Sequence, residues 1–187
     1  MGVLAKYFLF ISLLGSSCCA LGEELPSFIL KQHQTTLKTY LSQHPNYLLA
    51  PESFCDCQEN LVQLRQQMPE FQPYYAVGDI NDDRIEDFAV ALVEKQNITA
   101  KNPDVSVVVF HGPFKNEKPN KGIVAVKRFS ILRPKEVLSV FKARVEAGHR
   151  IPARLDFGPG VFGSDDVQVI FYNKKTKKYQ VQDFYGE

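Results

Sequence analysis

Tyr75-Ala76-Val77-Gly78-Asp79-Ile80-Asn81-Asp82-Asp83-Arg84-Ile85-Glu86-Asp87-Phe88-Ala89-Val90-Ala91-Leu92-Val93 decides how the chain is read. A short apolar run, an acidic turn and a nearly unbroken apolar run follow one another directly. Tyr74 to Val77 reads as a short strand. Phe88 to Val93 lacks polar alternation, the pattern of a strand covered on both faces. Val105 to Phe110 repeats that pattern and is rich in β-branched residues.

Working outward, a loop with Pro113, Pro119, Asn120 and Gly122 leads to a strand at Ile123 to Phe129. Val167 to Phe171 and Tyr179 to Asp183 alternate as strands, joined by the lysine-rich turn Asn173 to Lys178. The stretch Gly158 to Asp166 is a loop by composition. Three helices are expected. The first runs from Ser27 to Gln43 on a stripe of Ile29, Leu30, Leu37, Tyr40 and Leu41, and His44-Pro45 ends it. His33 and His44 fall on its polar side and read as solvated. The second runs from Pro51 to just before Pro69, with Phe54, Cys57, Leu61, Leu64 and Met68 on one face. Helical spacing turns Cys55 away from Cys57, so the two are not expected to be bridged to each other. The third starts at Pro134, carries Val137, Leu138, Phe141 and Val145, and stops at Gly148. The expected fold is α+β: two N-terminal helices and one later helix packed on a mainly antiparallel β-sheet, in a single domain over 23–187.

Residues 1–22 read as a secretory signal. Lys6 precedes an apolar run, Tyr7 to Leu14, that is too short to span a bilayer, and small residues follow it. Ala20 and Gly22 set cleavage before Glu23; Cys18 and Ala20 set it before Leu21. The chain is therefore expected to be exported, periplasmic or secreted, with no transmembrane span in its mature form. Cys18 and Cys19 after small residues resemble a bacterial lipoprotein signal, although Leu14 stands four places before Cys18. That resemblance implies a lipid anchor and a membrane-anchored lipoprotein as the alternative. The net charge is +1 with Lys6 included. Such a balance offers no basic excess for phosphates and excludes nucleic acid as the expected partner. The partner class left is an unknown protein or envelope component. Asn97-Ile98-Thr99 is a glycosylation sequon, relevant only in a eukaryotic secretory pathway.

With Asp79 as position one, oxygen side chains fall at one, three, five and nine: Asp79, Asn81, Asp83 and Asp87. Ile85 at position seven can offer its carbonyl. Such spacing turns several hard oxygens inward on Ca²⁺. Together with its flanking strands, the loop resembles the calcium loop of FG-GAP and VCBS repeats. The resemblance covers Tyr75 to about Val93 and implies a structural Ca²⁺ held by Asp79, Asn81, Asp83, Asp87 and the Ile85 carbonyl. Arg84 stands where the family has Gly at position six, and Asp82 where position four is often Gly. The chain holds a single such unit, so the family's propeller is not carried over. Five carboxylates (Asp79, Asp82, Asp83, Glu86, Asp87) share the loop with one cation, Arg84, a repulsion that a divalent ion or solvent must relieve. The competing reading is a solvated turn whose Asp and Asn side chains cap backbone groups.

Three functions are compatible with this sequence. The first is an exported, non-catalytic binding or structural module with a Ca²⁺-stabilised loop. The second is a lipid-anchored envelope or inhibitor-like protein that engages a partner through Gly158 to Asp166. The third is a hydrolase using His111 with Asp156, Asp165 and Asp166 nearby. No nucleophile elbow, HExxH or phosphate-cradling glycine loop is present in the sequence.

Overall fold

The computed structural model describes residues 24–54, 58–100, 103–114, 122–130, 137–141, 144–146, 149–158 and 167–184. Its chain order opens with α1 (Lys31–Gln43), β1 (Tyr47–Leu49), a 3-10 turn at Glu52–Phe54, α2 (Gln58–Gln67), β2 (Tyr75–Gly78), β3 (Asp87–Glu94), β4 (Asp104–Phe110) and β5 (Ile123–Ser130). There follow β6 (Val137–Phe141), β7 (Arg144–Glu146), β8 (His149–Ile151), β9 (Arg154–Gly158), β10 (Val167–Asn173) and β11 (Lys178–Phe184).

β3 and β4 are the centre of the first sheet because their side chains are buried on alternate faces. Phe88, Val90 and Leu92 of β3, with Val108 and Phe110 of β4, pack against Ile29, Leu37 and Tyr40 at α1. Ala89, Ala91 and Val93, with Val105, Val107 and Val109, pack against Leu155 and Ile170 of the second sheet. Two apolar covers explain the lack of alternation in sequence. β1 and β2 lie end to end along one side of β3, and β5 pairs with β4, all antiparallel. The second sheet has the order β11-β10-β9-β6, also antiparallel, and β7 and β8 form a separate two-stranded ladder. The sheets approach along both edges: Cα atoms of β5 and β11, and of β2 and β6, come within 8 Å. Leu61 of α2 joins Ala50 and Tyr74 in the core between the sheets. Arg65 ties α2 down through both Glu52 carboxylate oxygens, at 2.7 and 3.2 Å.

The expected α+β fold is therefore corrected to a mainly-β one, two antiparallel sheets with two α-helices among the described residues. Where the third helix was expected, Val137 to Phe141 is β6, paired with β9, and Arg144–Glu146 is β7. The first helix begins at Lys31 rather than Ser27. Its His33 is not solvated but fully buried, with its ring stacked on Phe88 at 4.2 Å. His44 is half-buried and stacks on Tyr40. Residues 1–23, Cys55 and Cys57 lie outside the described residues, and with them the signal, lipid-anchor and thiol readings. Among the described residues no helix is long and apolar enough to cross a membrane.

Candidate metal site

The acidic loop links β2 to β3, so its two ends are fixed by a ladder in which Gly78 pairs with Asp87. Its shape depends on two residues in left-handed backbone, Asp82 at φ 59° and Arg84 at φ 72°. An L-residue is disfavoured there, by roughly 1–2 kcal/mol. The side chains of the turn supply the compensation. The Asp79 carboxylate accepts from the Asp83 N–H and the Arg84 N–H, both at 3.0 Å. Asn81 Oδ1 accepts from the Asp83 N–H at 2.9 Å, and Asn81 Nδ2 donates to Asp83 Oδ2. Asp83 Oδ1 accepts from the Ile85 N–H at 2.8 Å. Three of the four expected side-chain ligands thus converge on the backbone of residues 83–85.

Asp87 is placed differently. It is fully buried, and its Oδ2 accepts from the Ile80 and Asn81 N–H groups while Oδ1 accepts from the Gly112 N–H. This carboxylate fastens the loop to the end of β4. Burial pushes its pKa above the ordinary carboxylate value, and the Gly112 amide, the neighbouring His111 and the Asn81 and Ile80 amides pull it back. Gly112 is needed at this contact, since a Cβ there would run into the Glu86 carbonyl. Ile85 is exposed. Two further contacts were not foreseen. Lys174, from the turn between β10 and β11, donates to the Asp82 carbonyl at 2.6 Å and pairs with its carboxylate at 3.3 Å. Burial, and then the charge of Asp87, raises the Tyr179 pKa, and this hydroxyl meets His111 Nε2 at 2.7 Å. The lysine-rich turn was legible as charged, but not as a partner for the loop.

The donor set suits a hard cation: carboxylate and amide oxygens with a backbone carbonyl close by. Yet each carboxylate oxygen of Asp79, Asp83 and Asp87 already accepts a hydrogen bond from the protein. Among the described residues no three His, Cys, Asp or Glu side chains gather as a metal ion requires. An ion here must use the second lone pairs of these oxygens together with Asn81 and the Ile85 carbonyl.

Of the residues considered for hydrolysis, His111 meets Tyr179 and stacks edge-on to Tyr172. Asp156 is buried and paired with Arg154 at 2.9 Å. Asp165 and Asp166 lie outside the described residues, as does most of the Gly158-to-Asp166 loop. Comparison of the chain with protein-family models, curated proteins and solved structures finds no match.

Proposed function

We propose that the chain is an exported, non-catalytic binding or structural module whose acidic loop accepts one structural Ca²⁺. The observation that supports it is the left-handed backbone at Arg84. The turn that glycine provides in calcium loops of this type is made here without glycine, and Asp79, Asn81 and Asp83 are gathered by it. These three and the Ile85 carbonyl would hold the ion, with Asp87 fixing the loop beneath. When bound, Ca²⁺ supplies charge neutralisation to five crowded carboxylates. The rest is done by the chain: backbone N–H groups orient the acidic side chains, and Lys174 holds the exposed side of the turn. What supports the non-catalytic reading is that the Asp156 carboxylate is paired with Arg154 and the His111 ring is held by the Tyr179 hydroxyl.

Calorimetric titration with millimolar Ca²⁺, alongside thermal melts, tests the loop. The wild-type chain should release or absorb heat and melt higher, by about 1.4 kcal/mol of added stability at ten times the dissociation constant. Asp83→Ala should lose both responses. Neither heat nor a thermal shift at several millimolar would leave a self-bonded acidic turn. Export is tested separately by the mature N-terminus: Glu23 or Leu21 supports a soluble exported chain, and an acylated Cys18 or Cys19 a lipoprotein.

A further inference from the structure

β1 is an edge strand whose open side faces an apolar groove. The ladder fixes which groups are open. Tyr47 lies opposite Glu94, Leu48 opposite Val93 and Leu49 opposite Leu92. The Lys95 N–H donates to the Asn46 carbonyl at 2.8 Å, and the Ala50 N–H to the Ala91 carbonyl at 2.9 Å. In an antiparallel pair, bonded and non-bonded positions alternate. Residues 46, 48 and 50 therefore point their backbone groups at β3, and residues 47 and 49 point theirs away. The Tyr47 N–H closes on the His44 carbonyl. The Tyr47 carbonyl and both the N–H and the carbonyl of Leu49 remain on the outer side, where β1 pairs with no other strand among the described residues.

All three β1 residues line a groove of about 830 Å³, with Leu25, Phe28, Leu41 and Ile98 around them. This is within the roughly 300–1,000 Å³ range of ligand sites. Phe28 and Ile98 stay 38% and 37% exposed, although both are large and apolar. Lys38 and Lys95 also line the groove, and neither has a carboxylate partner among the described residues. Glu52, at the same groove, is taken by Arg65. Glu24 is its other carboxylate.

We infer that this groove receives an extended peptide segment that adds as a strand to the outer edge of β1, with apolar side chains in the groove and acidic flanks toward Lys38 and Lys95. An open donor and two open acceptors match a peptide backbone, whereas an acyl chain would leave all three unpaired. A three-residue edge limits the pairing to a few rungs, which keeps the strand from acting as a general aggregation template. The site is separate from the acidic loop and does not depend on Ca²⁺.

The test uses the ¹⁵N-labelled full chain and the probe acetyl-Asp-Thr-Val-Thr-Val-Asp-amide, with a Lys-flanked version as control. The expected result is saturable shifts at the amides of residues 47–50, slower exchange of the Leu49 amide, and tighter binding of the acidic probe. Leu49→Pro removes the outward donor and no rung of the β3 ladder, and should weaken binding about tenfold, the effect of one hydrogen bond at the upper end of its usual worth. Lys38→Glu with Lys95→Glu should reverse the preference between the two probes, a readout independent of whether Leu49→Pro folds well. Three outcomes would overturn the inference: no shift at low-millimolar probe, shifts confined to another surface, or groove amides that respond to dodecanoate and not to either peptide.

Discussion

His33 is a titratable ring enclosed by aromatic ones. It stacks on Phe88, meets Phe114 edge-on at 4.5 Å and contacts the Tyr75 hydroxyl through Nδ1 at 2.7 Å. The Leu30 N–H donates to that hydroxyl, and burial pushes the Tyr75 pKa up to about 12, so the phenol stays protonated. On its other side, Nε2 stands 3.4 Å from the Gln32 side-chain Nε2 and 3.7 Å from the Glu86 carboxylate. Burial lowers the His33 pKa from 6.5 to about 4. The unfolded chain binds a proton on this residue below about 6.5 and the fold resists it until about 4. Stability is therefore lost as pH falls through that window, by up to about 3 kcal/mol. The raised carboxyl of Asp87 acts in the opposite sense on acidification, so the difference between two proteins is the informative quantity. His33→Phe keeps the stack and should flatten the loss in urea midpoints between pH 7 and pH 4.5; equal slopes for both proteins would refute a neutral buried ring. The sequence held the sign of this burial. Ile29, His33, Leu37 and Tyr40 are spaced by four, four and three, so His33 sits in the middle of the stripe that was assigned to apolar residues alone.

Among elements, the strands that were read best are those with two apolar covers. Phe88 to Val93 and Val105 to Phe110 needed no knowledge of their partners, because a continuous apolar run excludes a solvated face. The third helix was misread for a related reason. Val137, Leu138 and Phe141 satisfy a helical stripe, but Val137-Leu138-Ser139-Val140-Phe141, apolar at four of five positions, suits a short strand equally, and pairing with β9 decides between them. β1 was missed because three residues are too few to show any period. The acidic loop was legible as a turn between strands, and its departures from the family pattern gain a physical meaning in the fold. Arg84 occupies the left-handed region at a cost, so Arg84→Gly should raise the melting temperature without Ca²⁺, by up to about 1 kcal/mol after glycine's own entropy is counted. Asp82→Gly, at the other left-handed position, should not help, because it removes the carboxylate that pairs with Lys174. Thermal melts of the two variants side by side check this; a lower melting temperature for Arg84→Gly would mean that the arginine side chain, not the backbone angle, sets the turn.

At the scale of the whole molecule, chain order pairs β2 through β5, β7 with β8 and β9 through β11, but it is no guide to how the two sheets meet. β11 lies beside β5 and β6 beside β2 across long separations in sequence, and such closures depend on which faces remain uncovered rather than on any local pattern. What unites the sheets is one apolar core. Ala91 and Val107 from the first, Leu155 and Ile170 from the second and Leu61 from α2 are all almost fully buried in it. A core shared in this way makes the two sheets stable together, since neither covers its inner face alone. Leu155→Ala should therefore cost about 2–5 kcal/mol, the usual range for deleting a fully buried leucine side chain. The loss should appear as one cooperative transition, with far-ultraviolet circular dichroism and tyrosine fluorescence giving the same midpoint. Tyrosine is a suitable reporter because Tyr74 and Tyr75 lie at the first sheet and Tyr172 and Tyr179 at the second, and the chain has no tryptophan to mask them. If the variant instead lost its second-sheet signal early and kept the first, the sheets would be separate folding units, and the apolar faces of β3 and β4 would require another cover.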